Sequence, residues 1–154
     1  MSGNAPEITL PQLPNARVAI ISSSWHLDIC NDLVAGAQRA LAAAAIKNVE
    51  VIYVPGSFEI PLASQIAFEK GFDAVVAVGL VLEGQTPHFD YVCQGVTQGV
   101  MDVSLKFSAP VGFGVLMCNT LDQAIARSGR PGSAEDKGYD SAVAAIKLLQ
   151  LKEG

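Results

Sequence analysis

The chain has 154 residues, half of them apolar, and a formal net charge of −5 at pH 7. That length suits one domain with a real core and is short for two, and an acidic chain with scattered Lys and Arg excludes a nucleic-acid surface, which needs clustered basic groups. No apolar run approaches the ~20 residues that span a bilayer, and the N-terminus lacks a charged start followed by an apolar signal core, so a cytoplasmic protein is expected.

Residues 1–15 carry Pro6, Pro11 and Pro14 with Gly3, Asn4 and Asn15. Proline and glycine at that density leave no place for a regular helix or a central strand, which predicts an extended arm ahead of one domain over 16–154. Beyond the arm, short β-rich runs alternate with longer helical patterns. Strands are expected near Arg17 to Ser22, Glu50 to Val54, Ala74 to Leu82 and Val111 to Met117.

Between the first two strands, Cys30, Leu33, Val34, Ala37, Leu41 and Ala44 recur at steps of three and four and make one apolar stripe. Asp28 or Asn31 is the expected cap of that helix. A second helix, about Ile60 to Lys70, stops at Gly71, a residue suited to the left-handed turn after a helix. The third runs to about Phe107 on the stripe Phe89, Val92, Cys93, Val96, Val100 and Val103, with Gly95 and Gly99 permitting close packing. Two more, about Leu121 to Ser128 and Gly138 to Leu151, flank a turn over Gly129 to Lys137. The alternation predicts an α/β fold: a three-layer α/β/α sandwich on a four-stranded parallel sheet, flavodoxin-like, in order 2-1-3-4.

Cys30, Cys93 and Cys118 are odd in number, widely spaced and set in apolar sequence, so they suggest buried free thiols rather than a disulfide framework or a zinc site. No Walker pattern and no dinucleotide fingerprint occurs, since Gly112-Phe113-Gly114 begins within a strand. Neither a metal nor a nucleotide cofactor is expected.

In an open parallel sheet, ligands bind outside the carboxyl ends of the strands, where strand order reverses. Four loops fall there: Ser22 to His26, Pro55 to Glu59, Gly84 to Phe89, and Cys118 to Thr120. Trp25, the single tryptophan, offers a flat face for a planar ring or a cover for a hydrophobic edge. Glu59 could bind hydroxyls, although a lone Glu at a helix start more often offsets the helix dipole. Gly84-Gln85-Thr86-Pro87-His88-Phe89 joins a strand to a helix, with Thr86 suited to the N-cap and Pro87 to the first helical position. Unpaired amides and the positive end of the dipole make such a start a natural phosphate site, with His88 in the first turn. A lone His there is more often structural. Arg127, at the end of a short helix beside the glycine-rich turn, could grip a phosphate with two N–H groups.

Taken together, Pro55-Gly56-Ser57-Phe58-Glu59-Ile60-Pro61, Gly84 to Val92, Phe113-Gly114-Val115-Leu116, Gln123-Ala124 and Asp136-Lys137-Gly138 resemble the 6,7-dimethyl-8-ribityllumazine synthase family. The match covers nearly the whole chain from Val18 onward. The resemblance implies condensation of 5-amino-6-(D-ribitylamino)uracil with 3,4-dihydroxy-2-butanone 4-phosphate, releasing phosphate and water and needing no cofactor. By position, Trp25 takes the place that stacks on the pyrimidine. Ser57, Phe58 and Glu59, with Leu80, Val81 and Leu82, match the segments that hold the ring and ribityl chain. Gln85 and Thr86 match the phosphate-binding pair, and His88 matches the proton-transfer residue. Phe113 and Arg127 match residues that reach in from a neighbouring subunit, onto the pyrimidine and the phosphate respectively. Lys137 stands where the family has a Lys near the same anion.

The resemblance also implies a homo-oligomer with active sites between subunits, and riboflavin synthase as a functional partner. Gly129 to Lys137 looks longer than the same turn in shell-forming relatives, so a free pentamer is expected. Two departures stand out. Glu83 occupies a place where the family commonly has Arg or Lys, and a carboxylate facing the site would oppose a phosphate; His26 follows Trp25 where many relatives have Asn. A noncatalytic flavin- or lumazine-binding protein on the same scaffold is the alternative, against which the retention of His88, Arg127 and Lys137 counts.

Overall fold

A computed structural model describes residues 8–153. The elements follow in the order β1 (Arg17–Ser22), α1 (Leu27–Ala43), β2 (Asn48–Tyr53), a 3-10 turn (Ser57–Glu59), α2 (Ile60–Glu69), β3 (Ala74–Leu82), α3 (His88–Phe107), β4 (Val111–Cys118), α4 (Leu121–Arg127) and α5 (Lys137–Glu153). The four strands form one sheet in the order β2-β1-β3-β4, every pairing parallel. This is the expected α/β arrangement.

The central position of β3 follows from its sequence. Ala74 to Leu80 are all buried, as a strand covered on both faces and flanked on both sides requires. β2 and β4 are the edges, and they carry the exposed aromatics Tyr53 and Phe113. On one face of the sheet, α1 and α5 close a core built on Val18, Ile20, Val76 and Val78, with Leu33, Leu41 and Ile146. On the other, α2 and α3 cover Ala19, Ile21, Val75 and Val115 with Ile60, Phe68, Val96 and Val100.

Close approach of α5 explains the glycines of β4. A Cβ at Gly112 would fall on the Ser141 carbonyl, and one at Gly114 would lie 2.6 Å from Ser141 Oγ. Gly112-Phe113-Gly114 is thus a helix-packing device. Gly138 plays the same part for the two helices, because a Cβ there would meet the Leu33 carbonyl of α1. On the opposite face, Gly95 receives the Phe58 ring and Gly99 receives Pro61.

Three details differ from the sequence reading. The start of α1 is capped by neither Asp28 nor Asn31: His26 occupies that position in a left-handed conformation (φ 51°, ψ 62°) and its carbonyl accepts the Ile29 and Cys30 amides. Asp28 and Asn31 are drawn elsewhere, to Arg130 and to the Tyr53 hydroxyl. The left-handed region is one that His, like Asn and Asp, enters more readily than most residues. Second, β2 begins at Asn48, two residues before the expected start.

Third, the N-terminal segment is more than an arm. Residues 1–7 of it lie outside the described residues, and residues 8–13 have no regular structure, but Leu13 is buried in the core. Its amide donates to the Ala44 carbonyl at 2.8 Å, and Gln12 donates to the Ala43 carbonyl, fastening the segment to the end of α1. Cys30 and Cys118 are buried and Cys93 is half-buried, all three as free thiols whose pKa burial pushes up.

Candidate active site

The carboxyl edge of the sheet gathers the loops after β1, β2 and β3. Ser24 ties the first two together, its amide donating to the Pro55 carbonyl and its hydroxyl to the Val54 carbonyl. Across that seam Trp25 lies against Gly56, with Nε1 3.5 Å from where a Cβ on Gly56 would stand. Trp25 is 69% exposed and Phe58 60% exposed, so two aromatic faces stand open to solvent on this edge. Exposure of both rings in one place is costly in water and suits a surface awaiting a planar group.

Glu59 has a structural task as well. Its Oε1 accepts the Gly56 amide at 2.9 Å and closes the turn that presents Phe58, while Oε2 has no partner among the described residues. The carboxylate therefore keeps free acceptor capacity for a hydroxyl. Ser57 is buried, and its Oγ is a buried side-chain atom without a hydrogen-bond partner. It lies over β3, 3.1 Å from where a Cβ on Gly79 would stand, beside Ser23 Oγ.

Sequence reasoning missed Ser23. Its hydroxyl accepts the Leu80 amide at 3.3 Å and lies 3.6 Å from the Cys30 thiol, so it fixes the end of β3 to the loop of Trp25. Nothing in the local run Ser22-Ser23-Ser24 distinguishes it; only the parallel pairing of β1 with β3 brings Ser23 to Leu80. Of the three strand residues expected near a ligand, Leu80 has its side chain in the core, 3% exposed, and can face the edge only through its backbone. Val81 and Leu82 are half-buried and reach the rim.

The Gly84–His88 loop leaves β3 at the same edge. Helix α3 begins at His88, with Pro87 already in helical conformation (φ −66°) and its carbonyl accepting the Asp90 amide at 3.0 Å. Thr86 Oγ1 accepts the His88 amide in a long contact of 3.4 Å, while the N-cap position itself falls on Pro87, one residue later than expected. The amides of Gly84, Gln85, Thr86 and Phe89 find no partner among the described residues. Free N–H groups at and just before the positive end of a 20-residue helix suit an anion. Gln85, Thr86 and His88 are all exposed, so the side chains that could complete it are accessible. Glu83 is exposed too, pairs with no cation among the described residues, and holds the rim of the sheet by donating its amide to the Cys118 carbonyl.

Arg127 ends α4, whose start is fixed by a reciprocal cap. Thr120 Oγ1 accepts the Gln123 amide, and Gln123 Oε1 accepts the Asn119 and Thr120 amides. The Arg127 guanidinium donates to the Gln123 carbonyl at 2.9 Å and stands 3.5 Å from Glu135, which also holds Lys137 at 3.1 Å. Its charge reaches the Cys118 thiol, where it partly offsets the upward push of burial.

Three of the expected residues, Phe113, Arg127 and Lys137, make no ion pair or side-chain hydrogen bond with the loop cluster of their own chain among the described residues. Phe113 lies five positions before the end of β4, in register with Ala77, which puts it about 16 Å down the strand from the rim. Half-exposed on an edge strand, it faces outward. Arg127 and Lys137 make no ion pair or hydrogen bond with Gly84–His88 of the same chain among the described residues.

An open parallel sheet with free amides at a helix start and two exposed aromatic rings at its carboxyl edge defines an α/β protein with a surface suited to a small molecule. Comparison with known proteins narrows that class. Residues 15–153 match the family model for 6,7-dimethyl-8-ribityllumazine synthase. Proteins of that name from Streptomyces coelicolor and Pseudarthrobacter chlorophenolicus are each 50% identical, over 95% of this chain and 91% and 94% of theirs. One from Mycobacterium sp. strain KMS is 46% identical over the full chain and 97% of its own length. The chain belongs to the 6,7-dimethyl-8-ribityllumazine synthase family.

Proposed function

We propose that the protein is a transferase of riboflavin biosynthesis that condenses 5-amino-6-(D-ribitylamino)uracil with 3,4-dihydroxy-2-butanone 4-phosphate to give 6,7-dimethyl-8-ribityllumazine, phosphate and water. The observation that carries this reading is the family match over residues 15–153 together with a free-amide loop and an exposed aromatic pair on one edge of the sheet.

In this reading Trp25 and Phe58 flank the pyrimidine. Glu59, through its free oxygen, and the Ser57 segment take the ribityl hydroxyls, and Val81, Leu82 and the Leu80 backbone form the floor. Gln85, Thr86 and the free amides of the loop bind the butanone phosphate. Thr86 is well suited, since its oxygen already accepts from the backbone and its proton remains to be given to a phosphate oxygen.

His88 then moves protons. The amine of the pyrimidine attacks the ketone and a first water leaves as the imine forms, phosphate is eliminated to leave a new carbonyl, and the ribityl-bearing nitrogen closes the ring on that carbonyl with loss of a second water; each step transfers a proton that an imidazole can take and return. Holding the two substrates in register supplies most of the acceleration, up to about 7–11 kcal/mol where alignment is ideal. No cofactor enters the scheme.

The outward Phe113, with Arg127 and Lys137, completes the site of a neighbouring copy, Phe113 over the pyrimidine and the two cations at the phosphate. The reading includes a homopentamer with sites between subunits, located in the cytoplasm, with riboflavin synthase consuming the product. Among the described residues, no helix is long and apolar enough to cross a membrane. The test mixes the purified protein with both substrates and follows lumazine fluorescence against the uncatalysed background. Acceleration is expected; a rate equal to background with riboflavin still bound would replace this reading with a binding protein on the same scaffold.

A further inference from the structure

The two cations assigned to the substrate phosphate already share an anion. Glu135 spans them with one carboxylate oxygen each: Oε2 lies 3.5 Å from Arg127 Nε, and Oε1 lies 3.1 Å from Lys137 Nζ. The backbone sets this placement. The Glu135 amide donates to the Ala126 carbonyl at 3.0 Å, and Ser128 and Asp136 form an antiparallel bridge, so the turn folds back along the end of α4. Arg127 is gripped from its other side by the Gln123 carbonyl, and Asp140 stands 3.9 Å from Lys137.

A carboxylate bridging a guanidinium and an ammonium copies the demand a phosphate makes: two oxygens, one for each cation. It carries one negative charge where a phosphate monoester near pH 7 carries close to two. The side chains of Arg127, Lys137 and Glu135 are 42%, 25% and 22% exposed, so water reaches the pairs and neither is strong. Such pairs can exchange partners.

We infer that Glu135 is a built-in stand-in for the substrate phosphate, holding Arg127 and Lys137 in position while the site is empty and competing with phosphate for them. This rests on the assignment of Arg127 and Lys137 to the butanone phosphate. Binding then swaps a carboxylate for a phosphate, and after elimination the returning carboxylate helps expel inorganic phosphate. The arrangement lowers affinity for the anion in return for preset geometry and faster release.

The experiment titrates inorganic phosphate into the assembled wild-type protein and its Glu135→Gln variant, reading binding by 31P NMR and, separately, competition against the butanone phosphate during turnover. Glu135→Gln is expected to bind inorganic phosphate about two- to tenfold more tightly and to lower KM for the phosphate substrate by the same factor. In an Arg127→Ala background the same change should tighten binding by a smaller factor. Unchanged or weaker phosphate binding by Glu135→Gln overturns the inference. If Glu135→Gln does not assemble, Glu135→Asp replaces it, because the shorter arm cannot span both cations; a smaller gain in affinity supports the proposal and no gain defeats it. A wild type without lumazine synthesis would defeat the functional reading, while the binding arm would still decide the role of Glu135.

Discussion

Arg130 donates from Nε to the Asp32 carboxylate at 2.8 Å, joining residues 98 positions apart. Its second arm reaches Asp28 at 3.4 Å, one turn back on α1, and Arg39 of the same helix pairs with Asp136. The turn that carries Glu135 is therefore fastened to α1 by three ion pairs, although two of its glycines, Gly129 and Gly132, adopt positive φ. Asp28 responds to this contact: the neighbouring Ile29 amide, and then Arg130, hold its carboxyl below the ordinary value of 3.8.

Arg130→Ala should lower the thermal unfolding midpoint and raise KM for the butanone phosphate with little change in kcat, since the turn positions cations without touching reacting atoms. The stability difference should shrink at high salt, as water-exposed pairs do. Calorimetry at two ionic strengths and initial rates check both halves.

Asp140 gives a pH prediction. Burial pushes its carboxyl above the ordinary 3.8, more than Lys137 pulls it down, with Asp136 and Glu135 adding to the rise. The folded chain thus holds this proton more tightly than the unfolded chain, so the stability it contributes is complete below 3.8 and is lost as pH rises through the folded value. Asp140→Asn should remove that loss: its stability relative to wild type should grow with pH above 3.8 and then level off. Urea titrations from pH 3 to 7 measure it, and a parallel pair of curves would contradict it.

Gly138→Ala should destabilise the fold by about 1–3 kcal/mol, the usual cost of forcing volume into a filled contact. The new Cβ would fall on the Leu33 backbone carbonyl, which cannot rotate away as a side chain could. Equilibrium unfolding in urea should show a lower midpoint at unchanged slope.

His88→Ala should slow turnover without abolishing it, with KM for either substrate nearly unchanged, because positioning survives the loss of a proton carrier; such groups typically contribute roughly 10²- to 10⁴-fold. Arg127→Ala should do the reverse, raising KM for the phosphate substrate more than it lowers kcat. Steady-state kinetics separate the two, and total loss of activity in correctly assembled His88→Ala protein would count against catalysis dominated by alignment.

Periodicity and punctuation made most of the fold legible. The apolar run Ala74 to Leu82 could be only a doubly covered strand, Gly71 ended α2 where expected with φ 91°, and Thr86-Pro87 opened α3 within one residue. Each of these signals is local, read from neighbours in the chain. The cap of α1 was misread because Asp28 and Asn31 are both good capping residues, and what diverts them, Arg130 and Tyr53, comes from elsewhere in the fold.

The candidate site divides the same way. The Gly84–His88 loop was readable because a strand, a capping threonine, a proline and a histidine follow one another directly in the chain. By itself, then, the sequence determined the layers, the strand order, the family and the place of the Gly84–His88 loop between strand and helix, since hydrophobic period and helix-start chemistry act over a few residues. Tertiary structure alone decided that Ser23 anchors Leu80, that Phe113 faces outward far from the rim, and that Glu135 occupies both Arg127 and Lys137. Those relations depend on which backbones lie side by side and on where a turn folds back, and side chains meeting across such distances leave no pattern in the order of residues.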